Sequence, residues 1–447
     1  MRPDTSPKRD TARTNGMLTV SGAVRVLVDP RTERDGDVVL DDGSTDATVL
    51  DASGCVVTAG LVNAHHHLLQ TAFRTLPGTR GVPMADWLPT MAGAYARVGH
   101  DPELYGLAAS VGAAEGLLSG VTTVADHHLN WPVDGSAADT VALASATADA
   151  VRALGGRLVF VRGSARDDPD RAAASADAIV GALLAPGAVG GTDPDGRLQV
   201  AVGPAGVHSD GEATFRALGE VAARHGLRRR TQANEQVDTA IALERHGRRP
   251  IDLLEEWGWL APDVTLAHLC DVTDDEIARL ATAGVSATHA PGCDVPMGWG
   301  IAPVARLLDA GVPVGLGTSG GGSNDAGHLL ADARLAMQVS ALVGPQLPAR
   351  RLLGAATEGS AIGLGRPELG HLGVGTAGDL CVWDVSGVAD AGVDDPVAGL
   401  LWASPGRRPR HVVVGGRVVV RDGQLVGVDE RELAARLRER LARTPAV

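Results

Sequence analysis

Short apolar, β-branched runs alternate with longer mixed segments along most of the chain, and the two kinds of periodicity mark different elements. Between about residues 58 and 365 the pattern predicts strands at 120–125, 157–162, 198–203, 229–232, 265–267, 286–289 and 314–317, each followed by a helix-length stretch. A strand ending before His65 makes eight. Eight strand-then-helix units predict an α/β fold, a (β/α)8 barrel of the TIM type, with reactive residues at the carboxyl ends of its strands. Residues 17–57 read differently, as short β-branched runs separated by Asp/Gly turns, and residues 366–428 have the same character. These two segments are expected to join into one composite β-sandwich lobe. Residues 1–16 read as a disordered lead, and 429–447 carry a C-terminal amphipathic helix.

Composition narrows the function. Of 447 residues 44% are hydrophobic, enough for a large core. The formal charge of −14 repels phosphate backbones and anionic lipid, so neither nucleic acid nor a membrane is expected as a partner. Four scattered cysteines without a CxxC pair indicate neither a disulfide framework nor a zinc ribbon. With a polar start and no apolar run near ~18 residues, the expectation is a cytoplasmic protein. A homodimer, the commonest assembly, and a small-molecule substrate complete it. Gly320-Gly321-Gly322 lacks the spacing of a phosphate loop; it reads as conformational freedom at the barrel mouth, and no organic cofactor is indicated.

The chemistry concentrates at strand ends. In Gly60-Leu61-Val62-Asn63-Ala64-His65-His66-His67 the period of two turns His65 and His67 to one side and His66 to the other. Further strand ends carry Asp126-His127-His128, Arg162-Gly163-Ser164, Gln232-Ala233-Asn234-Glu235, Ala267-His268, His289-Ala290-Pro291 with Cys293-Asp294, and Ser319.

Together these phrases, with Gly300-Ile301-Ala302-Pro303 and Ser323-Asn324-Asp325, resemble the amidohydrolase superfamily. Within it they look like the deaminases and chlorohydrolases of purine, pyrimidine and triazine rings, 8-oxoguanine deaminases above all. The resemblance implies one divalent ion, Zn2+ or Fe2+, held by the His-x-His pair, a histidine ending strand five and an aspartate ending strand eight. It also implies a proton-shuttling glutamate and a strand-six histidine that orients the attacking hydroxide. Carried over, His65 and His67 are the residual metal ligands, and Glu235 and His268 the catalytic residues. Gln232 stands where the third ligand belongs, and Ser319 where the aspartate belongs. A carboxamide and a hydroxyl are poor ligands for such an ion.

Three readings remain open. A weakened centre can be rebuilt from His65, His67 and a replacement among His268, Glu235, His289 or the Cys293-Asp294 pair, retaining hydrolytic deaminase-type C–N cleavage. A metal-free enzyme can use Glu235 and His268 for elimination, cyclisation or isomerisation. A binding protein needs neither. The expectation is an enzyme acting on a small nitrogen-containing ring or amidine-like compound, contacted by Gln70, His128, Arg162, Gln232, His289, Asp294 and Ser319. Trp87 reads as a loop anchor, and Ser323-Asn324-Asp325 as the cap of the last loop's helix.

Overall fold

The computed structural model describes residues 17–41 and 48–443, so the expected lead at 1–16 lies outside the described residues. Parallel strands Leu61–His67, Val121–His128, Arg157–Ser164, Leu198–Pro204, Arg228–Ala233, Val264–His268 and Ser286–His289 follow one another around a curled sheet. All seven are buried through most of their length. Such continuous burial suits strands covered by side chains inside the barrel and by helices outside.

The eighth strand departs from the expected run 314–317. It is split into Val314–Leu316, paired with the seventh strand, and Ser319–Gly320, paired with the first. Between the halves Gly317 N donates to His289 O at 2.9 Å and Thr318 N to His65 O at 3.1 Å, which closes the ring. A Cβ at Gly317 would lie 2.7 Å from both Cβ and O of His65, so only glycine lets the strands approach this closely. His66 Nδ1 and Asn63 Nδ2 both meet Thr318 Oγ1, at 2.9 and 2.8 Å. The middle histidine thus serves the seam.

The flanking segments form two further sheets. In the larger, Cys55–Ala59 pairs antiparallel with Leu380–Asp384, joining N- and C-terminal segments, and Gly60 N donates to Asp379 O where the chain enters the barrel. The smaller consists of Val38–Asp41, Met17–Ser21 and Thr48–Asp51. Leu18, Val20 and Leu50 from one sheet share a core with Val57, Leu380 and Val413 from the other. The C-terminal helix Glu430–Ala442 packs on Pro102–Leu118 through its apolar side, with Arg440 paired to Asp101. No helix among the described residues is long and apolar enough to cross a membrane.

Two loop expectations are corrected. The glycine run is tightly packed rather than free: a Cβ on Gly320 would come within 2.2 Å of Gln70 Oε1, and on Gly321 within 2.5 Å of Gln70 O. The helix Leu329–Ser340 is capped by His328, not by Ser323-Asn324-Asp325. Asn324 instead donates to Thr318 O at 2.9 Å, and Asp325 pairs with Arg80.

Candidate active site

A cavity of about 1170 Å3 opens at the carboxyl ends of the barrel strands. His67, Gln232 and Ser319 reach it from strands one, five and eight, Trp87 from the helix Met84–Val98, and Trp131 and Trp299 from loops.

The period of two brings His65 and His67 together, their rings 4.9 Å apart. His67 Nδ1 donates to His127 O at 2.7 Å, which fixes its tautomer. His65 Nε2 is buried and has no hydrogen-bond partner among the described residues. Burial, and then the neighbouring histidines, hold the His65 pKa well below its ordinary value; burial likewise lowers that of His67. Both imidazoles are neutral at pH 7.

Strands five to seven supply the ionisable cluster. Asp294 receives His268 Nδ1 on one oxygen at 2.6 Å and His289 Nδ1 on the other at 3.0 Å. The far nitrogen of His268 faces Glu235 at 3.6 Å. Both Glu235 oxygens, His268 Nε2 and His289 Nε2 are buried without a hydrogen-bond partner among the described residues. Burial pushes the Glu235 pKa up against the pull of His268 and His208. Burial alone would lower the His268 pKa, but Asp294 and Glu235 outweigh it and raise it. Burial opposes ionisation of Asp294 too, yet the two histidines hold its carboxyl well below the usual range. Asp294 is therefore the fixed charge of the cluster, and Glu235 the carboxyl poised to change protonation state.

Backbone strain gathers here. Asn234, His268, Leu269 and Ser319 all have positive φ, between 53° and 77°. Each conformation of this kind costs about 1–3 kcal/mol and persists where the surroundings over-determine it.

The remaining expected residues divide. Gln70 lines the cavity and accepts from Gly322 N at 3.0 Å, while Trp87 Nε1 donates to Gly322 O at 3.0 Å, anchoring the loop. Arg162 also lines the cavity, but its charge is engaged by Asp167 at 2.7 Å and its guanidinium lies 4.9 Å from the Trp131 ring centroid. His128 is not among the lining residues: it sits among Tyr105, Trp131 and Phe160 with Nδ1 on Asp126 at 3.3 Å. His289 and Asp294 likewise stand behind the cavity surface, where Asp294 acts on His268.

A model of the amidohydrolase family matches residues 56–419. The chain belongs to the amidohydrolase family. It is 37% identical to an 8-oxoguanine deaminase of Pseudomonas aeruginosa over 410 residues, covering 88% of each chain. It is 31% identical to a 5-methylthioadenosine/S-adenosylhomocysteine deaminase of Archaeoglobus fulgidus, covering 87% of this chain and 88% of the relative. Among solved structures, an atrazine chlorohydrolase from Arthrobacter aurescens TC1 complexed with zinc superposes with a TM-score of 0.86 at 33% identity, covering 95% of this chain and all of that one.

Several residues of this amidohydrolase site were not singled out by sequence reasoning. Tyr95, Trp131 and Trp299 line the cavity; the signal available was scarcity, since aromatic residues are only 3% of the chain. Asp238 accepts from His208 Nδ1 at 3.2 Å and from Asn234 N at 3.0 Å, bracing the loop that carries Glu235. Arg230, two positions before Gln232 on the fifth strand, is buried; one guanidinium nitrogen donates to Ala64 O and another has no partner among the described residues. No simple pattern marks such a residue: Arg229 and Arg230 both fall in the strand predicted at 229–232, and nothing local tells which of the two is buried.

Proposed function

We propose that this amidohydrolase hydrolyses a C–N bond at an sp2 carbon of a small nitrogen-containing ring or amidine, by proton transfer between Glu235 and His268. The observation that carries the reading is the state of Glu235: fully buried, unpartnered at both oxygens among the described residues, and 3.6 Å from an imidazole clamped by Asp294. An unpartnered buried carboxyl destabilises a fold, and such groups cluster where a substrate will satisfy them. The deaminase and chlorohydrolase relatives support the reaction class, since each displaces a group from carbon in a nitrogen-rich ring.

The family's single ion is a poor match to these residues. Gln232 and Ser319 offer a neutral amide and a hydroxyl, so no carboxylate joins His65 and His67 from the positions that the family resemblance assigns. Arg230, on the same strand face as Gln232, places a cation with no carboxylate partner among the described residues in the low-dielectric interior beneath them, which repels a second positive charge. Among the described residues, the three-donor set found within 4.8 Å is His268, Cys293 and Asp294, and it includes neither member of the pair. The residues present do not fit that ion. What remains is side-chain chemistry: Glu235 takes a proton from the incoming nucleophile and returns it to the departing nitrogen, while His268, held by Asp294, donates to charge developing on the substrate.

The test is ammonia or amine release from a panel of amino-purines, amino-pterins, amino-triazines and amidines, with metal content measured on the same preparation. The expected result is turnover of a panel member that survives chelation and falls about 10²–10⁴-fold in Glu235→Gln. Activity that is lost on chelation and restored by Zn2+ or Fe2+ would overturn the metal-independent reading.

A further inference from the structure

The geometry points to Cys293 as a covalent nucleophile, activated by His268 and Asp294, that attacks a cationic amidine carbon seated against Glu235. This deepens the proposed function and rests on it. Cys293 is a free thiol that lines the mouth cavity beside Gln232 and Ser319. Donor atoms of Cys293, His268 and Asp294 all lie within 4.8 Å of one another. Asp294 holds His268 by Nδ1 at 2.6 Å, and Nε2 is left without a partner among the described residues. A nucleophile, an imidazole and a carboxylate that orients it are the groups by which enzymes activate weak nucleophiles.

The substrate class follows from Glu235. Its two unpartnered oxygens match the paired N–H groups along one edge of an amidinium or a protonated amino-heterocycle, a planar bidentate pairing like that of arginine with carboxylate. Burial, and then Asp294, keep the Cys293 thiol protonated in the free enzyme. A cation bound against Glu235 favours the thiolate, so attack waits for substrate.

The reaction balances without a redox partner. Cys293 Sγ bonds to the amidine carbon as its proton passes to the Glu235–His268 pair. The C–N bond then breaks, the nitrogen leaving as ammonia with a proton from that pair, and a thioimidate remains. Water adds to the same carbon, gives up a proton to Glu235, and the C–S bond breaks to return the thiol and a carbonyl product.

The test labels the full chain with 2-chloroacetamidine, a cationic thiol alkylator, and with neutral chloroacetamide, each rate being divided by its rate with a free small thiol. Modified sites are read by peptide mass spectrometry. Chloroacetamidine should label Cys293 with a relative rate about tenfold above that of chloroacetamide, the worth of one short-range charge pair. Asp294→Asn and Glu235→Gln should remove the preference. Equal relative rates, or labelling of the neighbouring Cys270 in place of Cys293, would overturn the proposal. So would an equivalent of zinc that is bound by the protein and lost in Cys293→Ser, because the thiol would then be a ligand. The two readings separate in turnover: a folded Cys293→Ser variant that keeps activity lost in Glu235→Gln removes the nucleophile and spares the C–N hydrolase, whereas activity insensitive to both variants removes the hydrolase mechanism as well.

Discussion

The two ends of the barrel treat buried charge in opposite ways. At the amino end, Arg157 meets Asp379 through two 2.9 Å hydrogen bonds, donates to Gly196 O and Ala377 O at 3.0 Å, and Asp379 also accepts from Gly415 N at 2.8 Å. Barrel and β lobe are joined by this satisfied cluster. At the carboxyl end Glu235, His65 and His268 keep atoms without partners among the described residues, and backbone strain surrounds them. The difference lies in the two carboxyl groups: Asp379 is completed where it joins barrel to lobe, whereas Glu235 is left for another molecule to complete.

That contrast can be broken by mutation, beginning with the largest effect. Arg157→Met strands Asp379 in the interior and should cost about 3–5 kcal/mol, read as a lower midpoint in urea at unchanged slope. Gly317→Ala forces a Cβ against backbone and side chain of His65 and should cost about 1–3 kcal/mol in the same assay, together with activity, since the seam places Ser319. At the mouth the sign reverses. Glu235→Gln should raise stability by about 1 kcal/mol at neutral pH, and an equal loss would mean that the carboxylate is structurally satisfied.

The last prediction is a pH slope rather than the cost of a substitution. Burial pushes Asp332, which accepts from Gly292 N and Asn324, up to about 7. The folded protein therefore holds this proton more tightly than the unfolded chain. Its contribution is fully present below the usual carboxylate range and is lost as pH rises toward about 7. Melting between about pH 5 and pH 8 should show the wild type losing stability that Asp332→Asn does not lose, and parallel slopes would refute the assignment.

Much of this was legible along the chain. The seven uninterrupted barrel strands lie close to where alternation of apolar runs and helix-length segments puts them, because burial on both faces demands continuous apolar sequence. His65 and His67 converge because a strand has a period of two. The eighth strand was only half legible: its break at Gly317-Thr318 is stabilised by Asn63 and His66 from strand one, partners 252–255 residues away. His128 read as a substrate contact because it ends a strand, but its ring packs with Tyr105 and Phe160, a choice made by neighbouring elements.

The sequence by itself determined the barrel, the composite lobe and the set of strand ends that meet at one mouth, since these follow from local periodicity and short-range strand geometry. Only the tertiary structure decided which polar groups are satisfied. Asp294 became the clamp of His268 and His289, Cys293 came within reach of Asp294 and His268, and Arg230 was left without a carboxylate among the described residues, because hydrogen-bond partners and desolvation depend on residues that fold together from distant parts of the chain.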